Sequence, residues 1–547
     1  MNDKPNFFDG RTLAAIAVVF AAWMGWQYYM QTKYPEAFKK IEQETLVESP
    51  QKAGTTQTSE TVSGSNLAEG SQALPTASQA TLSGTQPEIE TVKESILSFD
   101  SPTLSFQVSS HGMGIQNIRL KKYTDRGGET IRLGAPEATQ ETFSTRFLGV
   151  NKEIPFELSM VDERTFLGRA KWGNLEIVKK IEVVASRYQL KTDIQVIGSN
   201  PSFIGISTSL LEEIVPVKGA SFFTPQMERQ DFFVESGDSS ERVHIAEEDD
   251  MKTYANTTLV SVGSQYFTQA FVNKSEFLPE LKVEILQKSK VAKGTLSYQN
   301  LQGGNFSVRY SGFLGPKDVE ILRSVDAELD NVIDFGFFSW IAKYILWFLK
   351  TIHTYVGNWG VAVILLTLAV RLLVLPFNIM SYKSMKVMQV LQPQMKAIRE
   401  KYKEDQARMN QEVMALMKSH KANPLGGCLP MLLQFPIFIA LYQVLGHSIE
   451  LYQVPFAFWI QDLSAKDPYY VLPVLMGLTL YFQQKITPNT MDPAQAKVLA
   501  FMPLLFSFFM LSLPSGLTLY MFINGLAGVL QQMYFLKFNQ VEEPAKG

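Results

Sequence analysis

The run from Trp359 to Phe377, WGVAVILLTLAVRLLVLPF, is apolar over a length suited to a bilayer, yet Arg371 stands inside it. No Asp or Glu occurs in this run or in the hydrophobic segments after it, so none of them offers a carboxylate to the guanidinium. An arginine near the centre of a membrane helix costs about 2.5 to 3.5 kcal/mol on insertion scales. It normally marks a wet cavity, a substrate path or a side chain snorkelling to an interface.

A chain of 547 residues exceeds one typical domain, so several structural units are expected. The hydrophobic content of 46% is ordinary, but long apolar runs crowd roughly the first 30 positions and everything after about 335. The middle has the character of a soluble domain. A net charge of -3 argues against DNA as a partner, which usually needs a strongly basic domain. The single cysteine, Cys428, rules out an intrachain disulfide and thiolate zinc sites. His111, His244, His353, His420 and His447 lack the short spacings of metal ligands, and no GxxxxGK[ST] loop is present. No metal or cofactor is therefore expected.

Thr12 to Met30 is long enough to span a membrane, with Lys4 and Arg11 before it and Trp23, Trp26, Tyr28 and Tyr29 at its far end. An uncleaved anchor over residues 1–33 fits better than a cleaved leader, because bulky aromatics occupy the place of a small-residue cleavage site. From Lys39 to Ser98 there is no Phe, Trp or Tyr, which predicts a disordered linker over residues 34–95. Beyond it, TLSFQV (103–108), LEIVKKIEV (175–183), YQLKTDIQV (188–196) and FSVRY (306–310) alternate apolar with polar residues. They predict an all-β domain of two packed sheets over residues 96–330.

Phe338 to Val356 places Ser339, Lys343, Lys350, His353 and Thr354 on one helical face and Trp, Ile, Leu and Phe on the other. Residues 331–357 are therefore expected to hold an interfacial helix along the membrane surface, with Lys343 and Lys350 on its polar side. A transmembrane helix over residues 358–380 follows. Residues 381–424 form a charged hairpin: Met388, Leu391, Met395, Ile398 and Tyr402 on one arm oppose Met409, Val413 and Leu416 on the other, across a turn near Asp405. Its first arm carries Lys383, Lys386, Lys396, Arg399, Lys401 and Lys403. Such a stripe is either a plain solvated face or, beside a membrane, a site for anionic lipids and acidic partners. Four further apolar segments, near Leu429–Leu445, Tyr470–Gln483, Val498–Leu513 and Leu517–Leu536, fill residues 425–537 and precede a tail over residues 538–547.

The hairpin is far more basic than Gly446 to Pro468, where Lys466 meets Glu450, Asp462 and Asp467. The positive-inside rule then makes the hairpin cytoplasmic, the β-domain external and both termini cytoplasmic, with six spans in all. Thr367 lies one turn before Arg371, on the same helical face. Tyr520, Asn524 and Gln531 likewise share a face of the last span, and Gln434 interrupts the segment after the hairpin. These groups are expected to converge on Arg371 and line a hydrated groove, since buried polar groups need partners or water. The plainer alternative is interhelical hydrogen bonding with Arg371 snorkelling about 9 Å to the cytoplasmic end. A wet cationic groove would do no covalent chemistry, so no enzyme is expected. It would ease polar segments of another chain part-way into the bilayer while their apolar helices leave sideways into lipid.

Several motifs carry a family resemblance: NPLGGCLP (423–430), QFPIFIALY (434–442), Val370–Arg371 before Pro376, DPYYVLP (467–473), PSGLTLY (514–520) and GFLGPK (312–317). Together they closely resemble the YidC membrane protein insertases, nearly end to end. The resemblance implies a mixed fold: a polytopic α-helical core of six transmembrane helices, a large periplasmic β-supersandwich and a cytoplasmic helical hairpin. It implies a multi-pass protein of the bacterial inner membrane that inserts and folds newly made membrane proteins, alone or beside the Sec translocon. The ribosome or signal-recognition machinery would then meet the hairpin. The family's groove arginine matches Arg371 and a nearby threonine matches Thr367. Its final span often pairs two tyrosines, whereas Met521 follows Tyr520 here, and the near-neutral EEPAKG (542–547) lacks the basic tail of some relatives. Two other classes fit less well. A secondary transporter usually shows internal repeats and intramembrane acids, and this chain shows neither. An enzymatic or glycan-binding β-domain would rest on Trp172, His111 or His244, residue types that are more often structural.

Overall fold

The computed structural model describes residues 94–135, 141–149, 154–201, 203–215, 230–237, 239–245, 249–300, 305–420, 429–487 and 493–538. The expected N-terminal anchor, the linker up to residue 93, Cys428 and the end of the tail lie outside the described residues.

Three antiparallel sheets, rather than the two expected, build the β-domain. A four-stranded meander runs Ile96–Asp100, Leu104–Ser109, Ile115–Thr124 and Thr130–Leu133. A nine-stranded sheet is centred on Phe306–Pro316, which pairs with Phe267–Asn273 on one side and Gln189–Ile197 on the other. A five-stranded sheet contains Gly205–Glu213 between Val291–Gln299 and Thr145–Phe147. Gly205–Glu213 is buried at every position but its last, so it lacks the alternation that marks a half-exposed strand. Leu175–Val184 shows the expected period: Leu175, Ile177, Ile181 and Val183 face the core, and so does Lys179. The buried Lys179 Nζ donates to the carbonyls of Gly112, Met113 and Phe143 at 3.2, 2.9 and 2.7 Å and to Thr145 Oγ1 at 3.0 Å.

A short helix, α1 (Val319–Val325), leaves the last strand, capped by Asp318 Oδ1 on the amides of Glu320 and Ile321. Helix α2 (Ser339–Val356) buries Ala342, Ile345, Leu346 and Leu349, and leaves Trp340, Tyr344 and Trp347 exposed at 66%, 69% and 64%. Gly357 closes it in the left-handed conformation, and Asn358 caps α3 by accepting from the Val361 amide at 3.0 Å.

Helix α3 (Trp359–Lys401) runs 43 residues without a break, so the first hairpin arm continues the preceding apolar helix instead of starting after it. Pro376 and Pro393 lie inside it. The second arm, α4 (Gln406–Ser419), is capped by Asp405 and packs back on α3 through Leu391, Met395 and Met417. Helices α5 (Leu429–His447), α6 (Val471–Ile486), α7 (Pro493–Met510) and α8 (Ser515–Phe538) follow. Helix α8 packs against α3, α5 and α6, and α7 packs against α6. Among the described residues, one helix, Trp359–Lys401, is long and apolar enough to cross a membrane. Shorter apolar helices occupy Leu432–His447 and Ala500–Met510.

The loop between α5 and α6 joins the two regions. Tyr452 donates its hydroxyl to the Thr124 carbonyl at 2.9 Å and packs its ring on Tyr266 and Phe267, while Gln265 donates to the Gly446 carbonyl. Buried Asp467 ties the same loop to α6 by accepting from Trp459 Nε1 at 3.0 Å and from the Leu472 amide at 2.7 Å. At the start of α3, Gly360 admits the Phe456 ring, which a Cβ there would meet at 2.0 Å.

Candidate functional site

Three helices, α3, α5 and α8, supply the polar groups hydrogen-bonded around Arg371. The residue lies in α3 and its guanidinium Nη2 donates to the backbone carbonyl of Asn524 in α8. It makes no ion pair with a carboxylate among the described residues, and its buried Nε has no protein acceptor there. The positive charge is thus held by a peptide dipole, not neutralised. The Asn524 side chain accepts from Gln434 Nε2 of α5 at 3.1 Å, and the same nitrogen lies 3.3 Å from the Tyr520 hydroxyl, which accepts from it. Tyr520 is only 1% exposed, so its hydroxyl depends on that partner. Met521, the residue after it, packs against the buried core.

The structure therefore brings Arg371, Gln434, Tyr520 and Asn524 together. Thr367 stands apart: although it is fully buried and one turn from Arg371, its hydroxyl donates to the Val363 carbonyl at 2.7 Å, inside its own helix. Back-bonding of this kind satisfies a threonine wherever no better acceptor faces it. Sequence reasoning missed Asn378, Gln483, Gln532 and Gly528. Asn378 Nδ2 donates to Gln531 Oε1 at 3.4 Å, and Gln532 exchanges hydrogen bonds with Thr487 at 3.1 and 3.2 Å. Asn378 was findable, because two helical turns separate it from Arg371 on one face. Gly528 falls on the Tyr520–Asn524 face but has no polar side chain to flag it, and Gln483 carries no mark at all.

The lysines of α2 lie elsewhere and are held by carboxylates. Lys343 pairs with Asp330 at 2.9 Å, and Lys350 with Glu450 at 2.6 Å and Glu320 at 3.2 Å. Lys343 thus ties α2 to the turn that follows α1, and Lys350 ties it to α1 and to the loop after α5. The exposed face of α2 is aromatic instead, a composition that favours a membrane interface. On the hairpin, Lys383, Lys396, Lys401 and Lys403 are exposed, and Lys386 and Arg399 are half-buried. Lys401 and Arg408 flank the Tyr402 ring at 5.2 and 5.4 Å. In the β-domain, Trp172 is buried against Phe147, with ring centroids 4.4 Å apart, as a packing residue.

Residues 351–543 match the family described as 60Kd inner membrane protein, and residues 96–348 match the family described as YidC periplasmic domain. A membrane protein insertase YidC from Campylobacter jejuni is 32% identical over 100% of this chain and 99% of its own length. The chain belongs to the YidC family of membrane protein insertases. A YidC from Syntrophus aciditrophicus is 46% identical over 50% of this chain, and that match spans about half the relative's length, 51%. Among solved structures, an active YidC insertase with its first transmembrane domain resolved is 19% identical, with a TM-score of 0.37, over 82% of this chain and 95% of that one. Membership makes the β-domain the periplasmic domain of a YidC and the helical region its inner-membrane part.

Proposed function

We propose that Arg371 and its polar neighbours line a hydrated groove, open to the cytoplasm and to lipid, that receives the exported segments of newly made inner-membrane proteins. The observation that carries this reading is a guanidinium at membrane depth with no carboxylate partner among the described residues and a buried Nε without a protein acceptor. One backbone carbonyl leaves most of the guanidinium's donors for water, and a concavity that admits water also admits the polar part of a client. The named function of the relatives, membrane protein insertase, agrees with that use.

The chain acts as insertase and chaperone without covalent chemistry, alone or beside the Sec translocon. Its anchor, residues 1–33, and five helices between residues 358 and 537 make six spans, with both termini and the hairpin, residues 381–424, in the cytoplasm. There Lys383, Lys386, Lys396, Arg399, Lys401 and Lys403 meet anionic lipids, the ribosome or the signal-recognition machinery. Residues 331–357 lie along the outer surface, seated by aromatic side chains while Lys343 and Lys350 brace the β-domain. The decisive experiment reconstitutes Arg371→Ala and Arg371→Glu in lipid vesicles and measures insertion of small clients with acidic exported segments. Both substitutions are expected to impair it, and undiminished insertion by both sinks the reading.

A further inference from the structure

Gly528 follows Asn524 by one turn of α8, so its amide is the ordinary helical partner of the carbonyl that Arg371 also uses. A carbonyl oxygen has two lone pairs and can accept from both. Sideways access to that carbonyl is normally obstructed by the side chain one turn on. Here the obstruction is missing: a Cβ on residue 528 would stand 2.9 Å from Arg371 Nη2, 3.4 Å from its Cζ and 3.1 Å from Gln483 Nε2. All three are ends of flexible side chains, not backbone. Helix α8 would tolerate the methyl group, and the guanidinium would have to move.

We propose that Gly528 is a positioning residue for Arg371. Its bare Cα opens the seat across α8 from which the guanidinium reaches the Asn524 carbonyl, which holds the charge at groove depth against its tendency to snorkel toward the cytoplasm. A glycine inside a helix is otherwise inferior to alanine, so helix stability gives it no reason to be there. The assignment rests on the groove reading above and names the residue that sets where the groove's charge sits.

The test compares full-length wild type, Gly528→Ala, Arg371→Ala and the double variant in vesicles of phosphatidylethanolamine and phosphatidylglycerol, with a small client bearing an acidic exported segment. Gly525→Ala serves as a packing control, because its Cβ would meet Thr479 Cγ2 at 3.1 Å and not Arg371. Losing one charge-assisted hydrogen bond should slow insertion by Gly528→Ala roughly tenfold. Its melting temperature should not fall, and the double variant should be no slower than Arg371→Ala alone. Full activity of Gly528→Ala beside an impaired Arg371→Ala overturns this assignment alone, as does an equal loss in both backgrounds or in Gly525→Ala. Normal insertion by Arg371→Ala overturns the groove reading and the assignment together.

Discussion

Replacing Arg371 by leucine separates a wet site from a dry one by the sign of the stability change. In a dry site, exchanging arginine for leucine near the helix centre relieves about 3 to 4 kcal/mol of insertion cost. The exchange also gives up the hydrogen bond to the Asn524 carbonyl. That charge-assisted bond is worth about 1.5 to 3 kcal/mol, so a dry site gains stability by roughly 1 kcal/mol. In a hydrated groove the relief disappears, because the guanidinium was already solvated. Only the lost bond remains, and the variant is destabilised by about 1.5 to 3 kcal/mol. We expect destabilisation, measured by reversible unfolding of wild type and Arg371→Leu in lipid bicelles. A variant more stable by about 1 kcal/mol would refute the inference from an unpaired guanidinium to water.

Two further predictions concern the periplasmic domain. Burial pushes the Glu212 carboxyl up from 4.5 to about 8, so the folded state keeps a proton that the unfolded chain releases. Its contribution to stability is full below pH 4.5 and is lost as pH rises through 8; Glu212→Gln should flatten that slope in unfolding measured across the range. Lys179→Met takes the ammonium donor from the buried Met113 and Phe143 carbonyls and the Thr145 hydroxyl, while the Gly112 carbonyl keeps the Thr145 amide, and should destabilise the domain by about 3 kcal/mol or more in denaturant titration. A loss below about 1 kcal/mol would mean that water replaces the ammonium there.

How much of this was legible depended on whether a residue's role is local. Period two in LEIVKKIEVV placed Lys179 inward with its apolar neighbours, and the structure keeps that register. The same rule could not see Gly205–Glu213, which is covered on both faces, or the third sheet, since sheet count depends on pairing at long range. Helical spacing put Tyr520 and Asn524 on one face, and the two do meet Gln434. It also placed Thr367 beside Arg371, but could not show that the hydroxyl turns back on Val363. Gln483 was invisible because no one-dimensional pattern says that α6 and α8 are neighbours, and Gly528, though one turn from Asn524, because a missing side chain leaves no polar signal. Helical spacing put Lys343 and Lys350 on the polar face of α2 but could not name their carboxylate partners, because Asp330, Glu320 and Glu450 are set beside them only by the fold.

Because α3 carries Arg371 in its first half and the basic hairpin arm in its second, the two belong to a single rod. Roughly 30 residues separate Arg371 from Lys401, about 45 Å at the usual rise of an α-helix. A tilt of about 5° around the arginine would swing the far tip by about 4 Å. Pro376 and Pro393 mark where such a rod can flex, since each removes a rung of its hydrogen-bond ladder. Whatever grips the hairpin therefore holds a lever arm, and its pull is delivered at the charge.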